Sequence, residues 1–313
     1  MPKGGIEPLS EFKSPNLFWV HSISADDAAL NQLRRRFGFS EMDLREVRPP
    51  LQRPKLVVRS GYLFMILLFP YYDRKSGEIW ISEVDFFITK DTLVTVNHRG
   101  ELPALRGFLS ACSKDRARHD ECLRGGVTTL LYKILDVLHD AAFPMLVHIS
   151  QDIDAVEEGI LDIGNRTAVE EILRIKTNIV DFRRAMQGHK PVVERLIARG
   201  EGFIETKTFA SYWSDLVDAT KEIWTFLEVQ RDTINALHET HASLLSFRTN
   251  EVMKTLTIVS VILLPLTVIT GVFGMNAVGL PLVDHPQGFY IVIGVMTSAV
   301  LIMLGIFKAK KWI

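Results

Sequence analysis

Asn250, Thr257, Ser260, Thr267, Thr270 and Asn276 carry the chemistry of the C-terminal part of this chain: they punctuate an otherwise apolar stretch, and none of them ionises. Each offers an oxygen that accepts hydrogen bonds without contributing net charge. Repeated around an axis, the side-chain oxygens of Asn250, Thr267 and Asn276 would accept hydrogen bonds from water. Such a lining suits a cation that keeps its hydration shell, above all Mg²⁺, which gives up its waters reluctantly. The ordinary role of a serine or threonine in a membrane helix is a bond to the preceding turn or a helix contact, and each hydroxyl taken alone is open to that reading. Asn276 stands apart. It lies just past the apolar stretch, with Gly274 two residues before it, where glycine can take the backbone conformation that ends a helix.

The elements that must position these residues are two uncharged runs. The first, Leu256 to Phe273, is about 18 residues long, and the second, Phe289 to Phe307, about 19, close to the length that crosses a bilayer's hydrocarbon core. Two buried core helices of a soluble domain are the alternative; charge-free runs of this length favour lipid. The loop between them holds no Lys or Arg and one acid, Asp284, whereas Arg248 and Lys254 precede the first run and Lys308, Lys310 and Lys311 follow the second. The distribution of positive charge therefore puts both termini in the cytoplasm and the loop outside. Trp312 suits the interfacial belt, with the lysines snorkelling to the headgroups. Two spans are too few to enclose a hydrophilic path, so a transporter built this way must be a ring of identical chains.

Upstream, the 313 residues leave room for one soluble domain of roughly 200 residues. The net charge of −1 supplies no field that would draw nucleic acid, and no nucleic-acid partner is expected. Cys112 and Cys122 are read as reduced cytosolic thiols, and the first residues lack the apolar core of a signal peptide, so this region is expected to stay in the cytoplasm. Residues 1–15 read as a loose lead-in, Asn16–Val20 as a strand, and Ser24 as the cap of a helix carrying Leu30, Leu33 and Phe37. Four further strands are expected at 55–59, 62–69, 79–89 and 92–97, in a mostly antiparallel sheet. The third of these alternates Ile79, Ile81 and Val84 with Trp80, Glu83 and Asp85, as a strand with one buried face would. Helix follows from about Arg124, with Pro144 as a kink, a run at 168–186, and Pro191 opening the next helix. From Ser211 nothing breaks the helical pattern before the membrane; a helix from there to Phe273 would be on the order of 95 Å long, a stalk whose apolar stripe needs neighbours.

Other motifs carry less. His238-Glu239-Thr240-His241 spaces its histidines three apart, not the four that a zinc protease helix requires, and is expected on a stalk surface. Asp152, Asp154, Glu157, Glu158 and Asp162 read as a solvated acidic face able to concentrate cations. No phosphate-cradling glycine loop and no nucleophile–base pairing is evident, so no enzyme activity, bound cofactor or ATP coupling is expected, and transport would run on the ion gradient and membrane potential. A membrane-anchored scaffold or signalling protein is the reading of a different class.

The string Thr249-Asn250-Glu251-Val252-Met253-Lys254-Thr255-Leu256-Thr257, then Leu264-Pro265-Leu266-Thr267, then Gly271-Val272-Phe273-Gly274-Met275-Asn276, with a short loop, a second span and a terminal Lys-Lys-Trp-Ile, closely resembles the CorA family of divalent-cation channels. The resemblance is dense over this part, looser over 152–196, and limited to layout at the N-terminus. It implies a homopentameric funnel with an α+β cytoplasmic domain (1–123), a cytoplasmic helical region (124–210), a stalk helix (211–255), a first transmembrane helix with the Gly-Met-Asn signature (256–276), an external loop (277–288), a second transmembrane helix (289–307) and a basic tail (308–313), seated in the cell's inner membrane.

By the same resemblance, Gly274, Met275 and Asn276 form the selectivity filter, and Asn250, Met253, Leu256, Leu264 and Thr267 line the pore. Leu264 stands where many relatives have methionine, and Phe273 replaces a tyrosine. Tyr212-Trp213-Ser214-Asp215-Leu216-Val217-Asp218 is similar to the family segment whose acids meet a neighbouring subunit around a regulatory Mg²⁺, which assigns Asp215 and Asp218 that role. The implied cargo is hydrated Mg²⁺, with Co²⁺ and Ni²⁺. Ala277-Val278-Gly279-Leu280-Pro281 and the acid-poor loop look more like the zinc-transporting ZntB branch, in which transport can be proton-coupled, while Met275 fits the magnesium branch.

Overall fold

A computed structural model of the chain describes residues 9–98, 102–114, 116–159, 167–275, 280–282 and 285–312. These fall into two compact units, Met1–His238 and Glu239–Ile313.

The first unit is built on a six-stranded sheet in the order β1-β2-β6-β5-β4-β3, comprising β1 (Leu9–Ser14), β2 (Leu17–Ser22), β3 (Lys55–Val58), β4 (Leu63–Asp73), β5 (Glu78–Ile88) and β6 (Thr92–Val96). All neighbours pair antiparallel except β2 and β6, which run parallel with Phe18 opposite Thr92. The expected lead-in is thus partly strand: Leu9–Ser14 pairs with β2 from Leu9↔Ser22 to Ser14↔Leu17. Its single inward anchor, Phe12, stacks on Trp19 at 4.7 Å. Helix α1 (Asp27–Phe37) is capped by Asp26, whose carboxylate accepts from the amide of Ala29 at 2.8 Å; Ser24 instead accepts from the amide of Asp26. The cap therefore lies two residues beyond the expected one.

Both faces of the sheet are covered. Leu63, Met65, Leu67, Phe69, Phe86 and Ile88 enter one core, while Phe64, Ile66, Phe87, Val94 and Val96 enter the other, beneath α1 and α2 (Glu41–Glu46). That is why β4 reads as an unbroken apolar run. It also overturns the one-faced reading of β5: Ser82, Glu83 and Asp85 are buried with their apolar neighbours. Burial pushes the Glu83 carboxyl up to about 7 and raises Asp85 well above the usual carboxylate range.

Helix begins earlier than expected, with α3 (Pro103–Lys114) and α4 (Arg116–Leu123). Cys112 and Cys122 lie on these two helices and are joined as a disulfide with a Cα–Cα separation of 6.1 Å, which corrects the expectation of free thiols. Packing of α3 against α4 brings together two cysteines that sequence spacing alone leaves ten residues apart. Then come α5 (Gly126–Asp140), α6 (Ala142–Gly159), α7 (Thr167–Met186) and α8 (His189–Arg199). Pro144 does not kink a long helix: the break falls at Ala141, and Pro144 occupies the third residue of α6. Pro191 likewise occupies the third residue of α8. In the first turn a missing N–H costs no helical bond. Ile149, Ile153, Ile172, Ile175, Ile179 and Phe182 from α6 and α7 share a further core with Ile223, Leu227 and Ile234 of the next helix, α9 (Ala210–Phe273).

Helix α9 (Ala210–Phe273) is continuous for 64 residues and carries Pro265 inside it. Residues 210–238 belong to the first unit. The second unit consists of the remainder of α9 and α10 (Gly288–Ala309), the two helices long and apolar enough to cross a membrane.

Candidate functional site

At about 100° per residue, Asn250, Met253, Leu256, Leu264 and Thr267 fall within an arc of about 120° on α9. All five are exposed in the single chain, Leu264 by 67%. The opposite arc carries Lys254, Ile258, Ile262, Pro265, Leu266, Ile269 and Phe273, each half-buried. On α10 the more covered positions, Val292, Met296, Ala299, Val300, Met303 and Phe307, also recur at helical spacing. Each helix thus has one half-buried stripe, and a hydrogen bond from Lys254 Nζ to the Lys311 carbonyl at 3.5 Å ties the covered side of α9 to the tail. Phe307 is capped by Trp312, their rings stacked at 5.9 Å. The covered side of α9 faces away from the expected pore stripe, which stays exposed.

The hydroxyls on α9 do what threonines in apolar helices ordinarily do. Thr257 donates to the Met253 carbonyl at 2.7 Å, Thr267 to Leu263 at 2.9 Å, and Thr270 to Thr267 at 3.0 Å. This local bonding does not exclude a role towards an ion. Each hydroxyl has one proton, and with that proton on the helix the remaining lone pairs can only accept. Thr267 thus presents a fixed acceptor oxygen on the bare stripe.

The helix closes at the signature. The amide of Gly274 donates to the Thr270 carbonyl at 2.9 Å, and that of Met275 to the Val272 carbonyl at 3.3 Å. Glycine at 274 does not serve a left-handed turn; a Cβ there would stand 3.0 Å from the Thr270 carbonyl oxygen, a tight contact that the helix end would have to relax to admit. Met275 is 61% exposed. Asn276 lies outside the described residues, as do Ala277, Val278, Gly279 and Asp284.

Asp215 and Asp218 are exposed near the start of α9, where the helix is seated by Trp213, fully buried with its indole N–H donating to the Glu205 carbonyl at 3.3 Å. Tyr212 meets Tyr132 of α5 edge-on at 5.1 Å, and the Tyr132 hydroxyl donates to Asp136 at 3.4 Å. Burial, then the charges of Asp140 and Asp215, raise the Asp136 carboxyl above its ordinary value. Burial, then Asp136 and Asp215, push Tyr132 up to about 12. Asp215 therefore stands in a field of like charge that favours a cation, whereas Asp218 is already paired with Lys221 at 2.7 Å. The facing residues Tyr132 and Asp136 carry no signal in the sequence, since only packing of α5 against α9 brings them near Asp215. Among the described residues of this one chain, no group of three His, Cys, Asp or Glu side chains is arranged to hold a metal ion.

The remaining motifs sit on surfaces. Asp152 pairs with Arg174 at 3.3 Å, while Asp154 and Glu157 are exposed; Asp162 lies outside the described residues. His238 and Glu239 are exposed on α9.

Comparison with known proteins gives this arrangement a context. The cobalt/magnesium transport protein CorA of Thermotoga maritima is 29% identical over 310 residues, covering 98% of this chain and 86% of its own. The solved structure of the CorA magnesium transporter from Methanocaldococcus jannaschii superposes with a TM-score of 0.83 at 22% identity, covering 97% of this chain and 98% of that one. The ZntB cytoplasmic domain from Vibrio parahaemolyticus shares the fold at a TM-score of 0.61 and 11% identity, over 76% of this chain and 91% of that one. The family model of the CorA-like Mg²⁺ transporter protein matches residues 15–311, from before the second strand into the basic tail. With an α/β domain, a helix running on into an apolar span and a second span behind it, the chain belongs to the CorA-like Mg²⁺ transporter family.

Proposed function

We propose that five copies of this chain form a channel in the inner membrane, with both termini in the cytoplasm, that admits hydrated Mg²⁺ and also passes Co²⁺ and Ni²⁺. The observation that carries this reading is the bare stripe on α9. It runs from Asn250 to Gly274 on the side away from the half-buried residues of α9, holds no ionisable group between Leu256 and Gly274, and presents the Thr267 oxygen as an acceptor. A symmetric ring would bring five such stripes to one axis and cover apolar side chains that a single chain leaves bare. Asn276 would stand at the outer mouth and accept hydrogen bonds from the ion's water shell. Leu256 and Leu264 would form apolar rings able to close the path by dewetting.

On the cytoplasmic side, Asp215 and Asp218 would meet a neighbouring subunit around a regulatory Mg²⁺. Oxygen ligands suit that ion, and emptying the site would leave carboxylates facing one another and push subunits apart. Purified protein in liposomes tests the transport reading: Mg²⁺ uptake driven by its gradient is expected, and Asn276→Ala should abolish it. Equal uptake by the variant would remove Asn276 from the pathway. The residues 277–281 favour a second cargo, Zn²⁺, which the same liposomes would reveal as flux that accelerates with an imposed proton gradient.

A further inference from the structure

Deep in the first unit, His139 of α5 and His189 of α8 meet face to edge, both fully buried. Each ring is fixed by a backbone carbonyl. His139 Nδ1 lies 2.7 Å from the Leu135 carbonyl oxygen, and His189 Nε2 lies 2.6 Å from that of Leu68 on β4. A carbonyl only accepts, so both of these nitrogens must carry protons. In neutral imidazoles the other nitrogens, His139 Nε2 and His189 Nδ1, are then bare lone pairs, yet they stand 3.1 Å apart, at hydrogen-bond distance. Two lone pairs do not attract. One more proton between them resolves the geometry as an imidazole–imidazolium pair.

The surroundings suit one positive charge. Thr220 of α9 donates its hydroxyl proton to the Leu216 carbonyl at 2.8 Å, so its oxygen can only accept, and it lies 3.3 Å from His139 Nε2. Phe69 of β4 meets both rings edge-on, at 6.0 and 4.8 Å. Among charged groups, α5 brings Asp140, whose field favours protonated His139. Helix α8 brings Lys190, 3.9 Å from Glu194, and α9 brings Lys221, paired with Asp218; β4 presents no charge here. Burial lowers the proton affinity of both rings, His189 to about 3, so the shared hydrogen bond, the Thr220 oxygen and the Asp140 field have to offset that cost for one proton to be held, and a second is opposed further by the first.

We propose that His139 and His189 form a binding site for a single proton, shared between their facing nitrogens, whose occupancy is linked to the seating of α9 through Thr220. The linkage is reciprocal: if the Thr220 oxygen helps to hold the proton, the proton helps to hold α9. The site does not depend on which ion the protein transports.

The test is solid-state ¹⁵N NMR of the full-length protein, labelled at histidine and held in lipid bilayers, followed from pH 6 to pH 9. The expected result at pH 7 is one doubly protonated ring with a nitrogen–nitrogen correlation across the shared hydrogen bond, both lost in a single step as pH rises. His189→Gln and His139→Asn each keep an amide N–H for the backbone carbonyl but cannot share the proton, and should abolish both signals. Thr220→Val should lower the proton affinity roughly tenfold, the weight of one hydrogen bond to a charged group. Two neutral rings without correlation at pH 6–7 would overturn the shared proton, and an unmoved midpoint in Thr220→Val would overturn the link to α9.

Discussion

The hydroxyl of Thr267 satisfies its own helix and leaves an acceptor free for the proposed ion path. Its proton satisfies the Leu263 carbonyl, and that same bond aims its lone pairs outwards. Thr267→Val keeps the shape and removes the acceptor, so Mg²⁺ flux is expected to fall about five- to tenfold, as for loss of about 1 kcal/mol per hydrogen bond. The thermal midpoint should hardly change, because the side chain is exposed in the chain. Glu83 gives a prediction of a different kind. Burial raises its carboxyl from 4.5 to about 7, so the folded state holds the proton more tightly than the unfolded chain. The stabilisation is complete below pH 4.5 and is lost as pH rises towards 7, at about 1.4 kcal/mol for each unit of separation. Glu83→Gln mimics the protonated form. Unfolding midpoints between pH 4 and pH 8 should fall with rising pH in the wild type and less steeply in the variant. At this scale the proposed filter and pore positions come from polar residues that stand out in an apolar run and, for Met253, Leu256 and Leu264, from the family resemblance alone, whereas Glu83 and Asp85 read as solvent-facing. Alternation reports that two faces differ, not that a second layer of helices covers the polar one.

Among the elements, α9 bears the most. Its first turns are locked by Trp213, Leu216, Ile223, Leu227 and Ile234 into the cores beneath the sheet and beside α6 and α7. Leu227→Ala should cost about 2–5 kcal/mol, read as a lowered unfolding midpoint, because its fully buried position cannot collapse without moving α7. If the start of α9 also carries the regulatory acids, Asp215→Ala together with Asp218→Ala should leave flux that no longer falls as Mg²⁺ on the cytoplasmic side rises. Retained inhibition by that Mg²⁺ would place the sensor elsewhere. The helices from α5 onwards were open to sequence reasoning because apolar residues recur at three and four. By contrast, α4, Arg-Ala-Arg-His-Asp-Glu-Cys-Leu, has no such stripe, and its helix rests on α3, β1 and the disulfide. Strand β1 escaped for a related reason: one buried Phe12 in six residues is too little alternation to register without its partner β2.

For the whole molecule, family membership and the two apolar helices explain why a single chain looks unfinished. One face of α9 exposes Met253, Leu256 and Leu264, which water does not favour and a ring of copies would cover. Native mass spectrometry of the purified protein should show five chains; a dimer would return the scaffold reading. Assembly is not written in any one motif. The proposed ring rests on the count of spans, on the uncharged stripe, and on the inability of two helices to enclose water. The measurement that bears most directly on the account is the comparison of Mg²⁺ and Zn²⁺ uptake into liposomes holding the protein, with and without a pH gradient. Mg²⁺ flux that runs down its own gradient and ignores the pH gradient is the predicted result, whereas Zn²⁺ flux driven by protons, with none of Mg²⁺, would contradict it.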